Sequence, residues 1–349
     1  MSKTRVLIVD DSALVRMILR QGLNSDPEIE VVDVAPDPFY AREMIIKHRP
    51  DVMTLDVEMP RMDGLEFLRR LMPTFPIPTI IVSSLSKRGS QIAMDALDFG
   101  AVDIVTKPEA NVKRALEGMI HDLRMKVKMV ARVDVSHLKG KQLRQAKVHP
   151  IASKALSVTT DKVIAIGAST GGTTALKDLL VRMPAGSPGI VVVQHMPPRF
   201  TGMFANRLNN ECVLTVKEAE NGDQVAPGKV LIAPGGEKHM SIKRIGGFYK
   251  AFLNEADKVN GHCPSVDVLF DSVAEHAGRN AVGVILTGMG GDGAKGLLKM
   301  KEAGAKTLGQ TEKTCVVYGM PKVAFDIGAV ETQLDLEKIP EKLVSMFDK

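Results

Sequence analysis

Three residues in the C-terminal half have the types that acyl transfer requires. Ser169 lies in "KVIAIGASTGG", a glycine loop directly after an apolar run. A tight strand-to-helix turn there lifts the hydroxyl out of the sheet, which suits attack on a carbonyl. Such a hydroxyl needs a base near neutral pH, and imidazole is the unperturbed side chain that titrates there. His195 in "VVVQHMPP" supplies one, and Asp292 in "LTGMGGDG" supplies the carboxylate that fixes an imidazole's tautomer and stabilises its charged form. Each has a plainer reading: Ser169 as a helix cap, His195 as a satisfied strand-end histidine, Asp292 as a turn residue among glycines. All three fall at the carboxyl ends of expected strands, two of them among glycines, so the set reads as a triad. Phosphate cradling is the weaker account. A dinucleotide loop needs a glycine where Ser169 stands, and a P-loop needs a lysine that "GGTTA" lacks. The G-x-S-x-G elbow fits Gly167 to Gly171, but the order Ser, His, Asp differs from that of α/β-hydrolases.

A second set lies near the N-terminus. Asp10 and Asp11 follow the first apolar run, Asp56 ends the third, Ser83 the fourth and Lys107 the fifth. Three carboxylates meeting at one sheet edge repel one another unless a hard divalent cation joins them, and oxygen ligands suit magnesium. A carboxylate beside such an ion can accept a phosphoryl group, with a lysine and a hydroxyl sensing the new charge. Any one acidic residue at a strand end is more often a cap, but the joint arrangement is not accounted for that way.

The elements that must position these residues alternate along the chain. Over 1–123, "RVLIVD", "IEVVDVA", "DVMTLD", "PTIIVSS" and "AVDIVTKP" are strand-like, separated by segments of helical period. Over 161–349, "KVIAIGAS", "GIVVVQHM", "KVLIAPG" and "NAVGVILTGM" are buried-strand candidates, and "HMSIKRIGGFYKAFLNE" reads as a hairpin turning at Gly246 and Gly247. The expected fold class is α/β, with two doubly wound parallel-sheet domains, each carrying its chemistry at strand ends.

Composition bounds the alternatives. The 349 residues suffice for two domains, and 44% hydrophobic with 25% charged residues is ordinary for globular chains. Cys212, Cys263 and Cys315 form no CxxC pair, which points away from disulfide or zinc scaffolds and toward a reducing cytoplasm. The apolar stretch before Asp10 is too short for a signal sequence, and no run is long enough to span a bilayer, so neither export nor membrane insertion is expected. Basic and acidic residues number 15 and 19 over 1–123, 9 and 1 over 124–160, and 22 and 21 over 161–349. The basic excess therefore sits in 124–160, read as the tail of a helix and an exposed linker that is either a solvated hinge or a dock for an acidic surface. Nucleic-acid binding finds little support: that stretch has no aromatic residues, and the half after it is nearly neutral without a helix-turn-helix signature.

With "DVEMPRMDGLEFL" and "TKP" in place, residues 1–123 resemble the response-regulator receiver family, of flavodoxin-like fold. That resemblance implies Asp56 as phosphoacceptor, Asp10, Asp11 and Asp56 around magnesium, and Ser83 and Lys107 sensing the phosphate. Ile104 departs from the aromatic side chain many receivers carry. The succession of receiver, basic linker 124–160, "GASTGG", "QHMPPRFTGMFANRLN" and "ILTGMGGDGAKGL" resembles the chemotaxis protein-glutamate methylesterase family over essentially the whole chain. It implies a Rossmann-like catalytic domain over 161–349, with Ser169 as nucleophile, His195 as base and then acid, Asp292 as orienting carboxylate, and an oxyanion hole from the amides of Thr170 and Met289. It further implies methyl-accepting chemoreceptors as substrate, a chemotaxis histidine kinase as phosphodonor, hydrolysis of glutamate γ-methyl esters without any cofactor, and deamidation of receptor glutamines. Cys263 in "GHCPSVDVLF" stands where that family suggests a basic residue. An inactive homologue that only tethers receptor and kinase is the remaining alternative.

Overall fold

The computed structural model describes residues 3–84, 86–108, 113–140, 150–151 and 161–347. The chain divides into two units, Met1–Gln145 and Ala146–Lys349.

The first unit holds β1 (Thr4–Val9), β2 (Ile29–Ala35), β3 (Val52–Leu55), β4 (Thr79–Ser83) and β5 (Asp103–Thr106) in the order β2-β1-β3-β4-β5. All their pairings are parallel. Helices α1 (Ala13–Asn24), α2 (Pro38–His48), α3 (Gly64–Leu71) and α4 (Lys87–Asp98) form the crossovers, and α5 (Lys113–Val130) follows the last strand. β3 and β4 are buried along their whole length, which is why they read as unbroken apolar runs rather than alternating ones. Helix starts follow short polar caps: Asp37 accepts from the amides of Phe39 and Tyr40, and Asp63 from that of Glu66.

The basic stretch after residue 123 begins, as expected, as the tail of a helix. Helix α5 continues to Val130, with Leu123, Val127, Val130 and Val135 buried, and Gly140 N–H donates to the Pro73 carbonyl. Its cations are satisfied within the unit: Lys126 pairs with Asp103 and Lys128 with Asp26 and Glu28, while Arg124 donates to the Gly22 carbonyl. Apolar residues at helical spacing hold this end of the helix on the receiver, so the charge there is structural. The rest of the proposed linker, 141–149 and 152–160, lies outside the described residues.

The second unit contains β6 (Val163–Ala168), β7 (Gly189–Gln194), β8 (Thr215–Glu218), β9 (Gln224–Val225), β10 (Lys229–Ile232), β11 (Lys238–Ile245), β12 (Phe248–Glu255), β13 (Ala281–Ile285), β14 (Lys306–Gln310) and β15 (Thr332–Leu334). Seven of them form a parallel sheet ordered β15-β14-β13-β6-β7-β10-β8, and β11-β12-β9 form a separate antiparallel sheet. The hairpin β11–β12 pairs Ile245 with Phe248 across Gly246 and Gly247, as expected, with Gly246 at positive φ. Helices α6 (Gly172–Leu180), α7 (Phe200–Glu211), α8 (Val266–His276), α9 (Ala294–Glu302), α10 (Met320–Asp326) and α11 (Ile339–Phe347) complete the unit. On one face of the sheet Val163, Ala165, Val191, Val193 and Leu231 bury against Val266, Phe270, Val273, Leu297 and Met300. The polar strands β8, β14 and β15 carry no strong sequence signal; neighbouring strands, not their own apolar content, recruit them to the sheet.

The order reverses at β6: the chain leaves it toward β7 on one side and returns as β13 on the other. In such sheets the crevice at the carboxyl end of that switch is where ligands bind.

Candidate active site

Register brings the serine and histidine together. Ala168 pairs with Gln194 across β6 and β7, so Ser169 and His195 are the next residues of adjacent strands, and His195 N–H donates to the Ala168 carbonyl at 3.1 Å. Gln194, buried in an otherwise aliphatic strand, donates from Nε2 to the carbonyls of Ser169 (2.8 Å) and His195 (3.2 Å), clamping both turns. On the other side Ile285 pairs with Gly167, and Ser169 N–H donates to the Thr287 carbonyl at 3.0 Å. The loop after β13, which carries Asp292, is thereby fixed beside the same crevice.

Asp292 reaches His195. Its Oδ2 lies 2.9 Å from His195 Nε2, with Asp292 1% exposed. The other imidazole nitrogen, Nδ1, is buried without a hydrogen-bond partner. The aspartate-bearing nitrogen is thus the outer one of the ring, leaving Nδ1 as the atom free to act on a hydroxyl. None of this was readable from spacing.

The carboxylate is held by more than the histidine. Oδ2 also accepts from Val266 N–H at 2.6 Å, and Oδ1 from Ser265 Oγ at 2.7 Å, Asn260 Nδ2 at 2.8 Å and Asp267 N–H at 3.4 Å. Val266 and Asp267 open α8, so the charge sits on a helix N-terminus, where unbonded amides and the helix dipole favour anions. Burial opposes ionisation, but the hydrogen bonds from His195, Asn260 and Ser265 outweigh it and hold the Asp292 carboxyl well below the usual carboxylate range. The reading of Asp292 as a mere turn residue does not survive this environment.

The serine likewise departs from its plain reading. The N-cap of α6 is Gly171, at φ 76°, and that helix start has no side-chain cap. Ser169 contributes its carbonyl to the turn, accepting from Gly172 N–H at 2.7 Å, and is 9% exposed. Gly288 explains the glycine cluster on the opposite loop: a Cβ there would stand 2.8 Å from Ser169 Cβ and 2.3 Å from Met320 Sδ. Thr170 directly follows Ser169, and Met289 directly follows Gly288 on the loop that abuts Ser169, so the two candidate oxyanion amides belong to adjoining loops.

Sequence reading missed Gln194, Asn260, His262, Ser265 and Asp267. Asn260-Gly261 is a turn signal that could have drawn attention to its neighbours, but nothing in the sequence says that the turn faces Asp292. His239, which is buried, accepts from Ser265 N–H at Nδ1 and therefore donates from Nε2 to the Asp257 carbonyl, tying this loop to β11.

At the edge of the first sheet Asp10 follows β1 and Asp56 follows β3, flanking that sheet's own reversal point. Lys107 Nζ lies 2.7 Å from Oδ2 of both. Burial, aided by the charge of Asp10 and opposed by Lys107, pushes the Asp56 carboxyl up, while the two aspartates overcome burial to push the Lys107 ammonium up. Ser83, fully buried, donates to the Ser84 carbonyl at 3.2 Å. Oxygens of Asp10, Asp11 and Asp56 all lie within 4.8 Å of one another. Three hard donors against one ammonium leave an uncompensated negative charge, and that donor set fits magnesium.

Residues 164–343 match the family model described as CheB methylesterase and residues 6–117 that of the response regulator receiver domain. The chain belongs to the CheB methylesterase family. Among CheB relatives, a protein-glutamate methylesterase/protein-glutamine glutaminase of Syntrophotalea carbinolica is 53% identical over 99% of this chain and 98% of its own. One of the same description from Salmonella typhimurium is 49% identical over 99% of this chain and 97% of its own. The CheB methylesterase catalytic domain of Thermotoga maritima, known from a crystal structure, is 45% identical, covers 53% of this chain and 98% of its own, and superposes with a TM-score of 0.52. As in CheB proteins generally, a receiver implies control by phosphorylation, ordinarily magnesium-dependent. Among the described residues no helix is long and apolar enough to cross a membrane.

Proposed function

We propose that this chain is a phosphorylation-controlled serine hydrolase that removes γ-methyl esters from glutamates of methyl-accepting chemoreceptors and deamidates receptor glutamines, serving adaptation in chemotaxis. The observation that carries the reading is the His195–Asp292 pair, 2.9 Å apart, whose second ring nitrogen is buried and unbonded at the strand end next to Ser169.

Ser169 Oγ attacks the γ-carbonyl carbon while its proton passes to His195 Nδ1. The imidazolium so formed is stabilised through Nε2–H by Asp292, which stays ionised. The negative oxygen of the tetrahedral intermediate accepts from the amides of Thr170 and Met289. The intermediate collapses by breaking the bond to methoxide, which takes the proton from Nδ1 and leaves as methanol; a glutamine loses ammonia by the same route. Water, deprotonated by His195, then cleaves the acyl-serine, releasing glutamate and restoring the hydroxyl. These steps use groups of the chain and water throughout.

In the receiver, Asp56 accepts a phosphoryl group from a chemotaxis histidine kinase. Asp10, Asp11 and Asp56 would hold magnesium, which when bound offsets charge at the phosphoacceptor. Lys107 is in reach of the new phosphate from its present place beside Asp56, and Ser83 ends the neighbouring strand. Both partners meet the protein in the cytoplasm.

The test is methanol release from methylated receptor membranes, with and without acetyl phosphate and magnesium. Wild type should release methanol faster with the phosphodonor, Asp56→Asn should lose that stimulation, and Ser169→Ala should fall by about 10⁶-fold. Release that survives Ser169→Ala would overturn the triad.

A further inference from the structure

We propose that the Val259–His262 turn is the positioning device of the triad: His262 fixes the plane of the His195 ring, and Asn260 fixes the Asp292 carboxylate. The proposal rests on the triad reading and adds two residues to it.

The turn is a two-residue hairpin. Val259 and His262 exchange both backbone hydrogen bonds, at 3.0 and 2.9 Å, and the central Asn260 and Gly261 both have positive φ, 52° and 82°. Asn-Gly is the pair that such a turn favours, since asparagine tolerates the left-handed region and glycine enters it freely. A tight hairpin presents its flanking and central side chains as a rigid unit. From this one, two side chains reach the His195–Asp292 pair, one to each member.

His262 stacks on His195, with ring centroids 3.8 Å apart and planes within 8°. The contact answers a specific need. One hydrogen bond, from Nε2 to Asp292, leaves the imidazole free to swing about that axis, and an aromatic χ2 is a broad, soft torsion. A swing of the ring carries Nδ1 away from the hydroxyl while Nε2 keeps its partner. A parallel ring against one face opposes the swing, because tilting drives one edge into the neighbour and pulls the other from contact.

Asn260 acts on the other member. Its Nδ2 donates to Asp292 Oδ1 at 2.8 Å and to Asp267 Oδ2 at 2.7 Å, standing between two carboxylates. Asp267 is otherwise held by Gly296 N–H at 2.6 Å, and burial together with the charge of Asp292 pushes its carboxyl up. The amide group thus separates two acids that would otherwise repel, and keeps Oδ2 of Asp292 turned to the histidine. Asp292 retains Ser265 and two backbone donors without Asn260, so the loss of His262 has the larger effect.

The test compares full-length His262→Ala, His262→Gln and His262→Phe in methanol release, with the imidazole N–H proton of His195 followed by low-field proton NMR in each. Alanine and glutamine should lower kcat about 10- to 100-fold with KM within about twofold, since misplacing a reacting group costs on that scale. They should also shift or broaden the low-field proton. Phenylalanine, which keeps the flat face and removes both nitrogens, should restore kcat to within about threefold of wild type and return the resonance. Asn260→Gly, which keeps the turn, should lower kcat about three- to tenfold.

Full activity in His262→Ala, or phenylalanine as inactive as alanine, would overturn the proposal; the second outcome would assign the role to the nitrogens of His262. Ser169→Ala run in parallel separates the two readings. If it retains activity the triad has failed, and the resonance alone decides whether the turn positions His195.

Discussion

Two parallel α/β sheets in one chain manage charge in opposite ways at their strand ends. In the first, three carboxylates cluster around one ammonium, Lys107, which pairs with Asp10 and Asp56 only, and the balance stays negative. In the second, a single carboxylate, Asp292, collects donors from His195, Asn260, Ser265 and the first turn of α8. The first arrangement, with its surplus of negative charge, suits a further cation. The second is complete as an ion, and its effect is to fix and support a base. The architecture is common to both, so the chemistry follows from which residue types the strand ends carry and how many donors surround each acid.

The comparison breaks most visibly at Asp292. Asp292→Asn should lower the rate of methanol release about 10³- to 10⁴-fold, as loss of the orienting carboxylate does in serine hydrolases of other folds. An amide nitrogen in place of one oxygen also meets Val266 N–H or His195 Nε2–H as donor against donor. Because the folded carboxyl lies below its ordinary range, its contribution to stability is present above the unfolded value near pH ~3.9 and is lost as pH falls toward the folded one. The difference in unfolding temperature between wild type and Asp292→Asn should therefore be full at pH 7 and shrink below about pH 4. A difference that stays constant down to acid pH would show that the carboxylate carries no such surplus of donors.

Gly288→Ala probes the space around the nucleophile rather than charge. Its backbone lies outside the left-handed region, so the added methyl acts by crowding Ser169 and Met320 alone. It should destabilise by about 1–3 kcal/mol in thermal or urea unfolding, as overpacking does. It should also slow ester hydrolysis about 10- to 100-fold. Normal activity would mean that the loop from 288 to 290 is not pressed against the serine.

The smallest effect is expected at Lys107. Its ammonium occupies the oxygens of Asp10 and Asp56 that a divalent cation would use, so Lys107→Ala should tighten magnesium binding about three- to tenfold by calorimetry at fixed ionic strength. Unchanged affinity would place the cation away from these oxygens and weaken the contrast between the two sites.

Much of the fold is legible in the residues. Strands β3, β4, β6, β7 and β13 are apolar because parallel strands covered on both faces bury every side chain. β8, β14 and β15 escape notice because they are short or carry polar residues, even though β14 is largely buried in the sheet. The basic stretch from 124 is legible as a helix tail, but not in how firmly that tail is docked. Charge dominates composition there, while the few apolar residues that dock the end of α5 are spaced along one face.

By its residue types alone the sequence determined the nucleophile, base and acid as candidates, Ser169, His195 and Asp292, and the acidic set of Asp10, Asp11 and Asp56. Strand-end placement follows from local apolar runs, and those runs are local chemistry. The tertiary structure decided which imidazole nitrogen faces the aspartate, that Asp292 rests on the first turn of α8, and that a turn 30 residues upstream lays His262 on His195. Those relations join segments far apart in the chain. They depend on strand order, register and helix packing, which no single segment encodes.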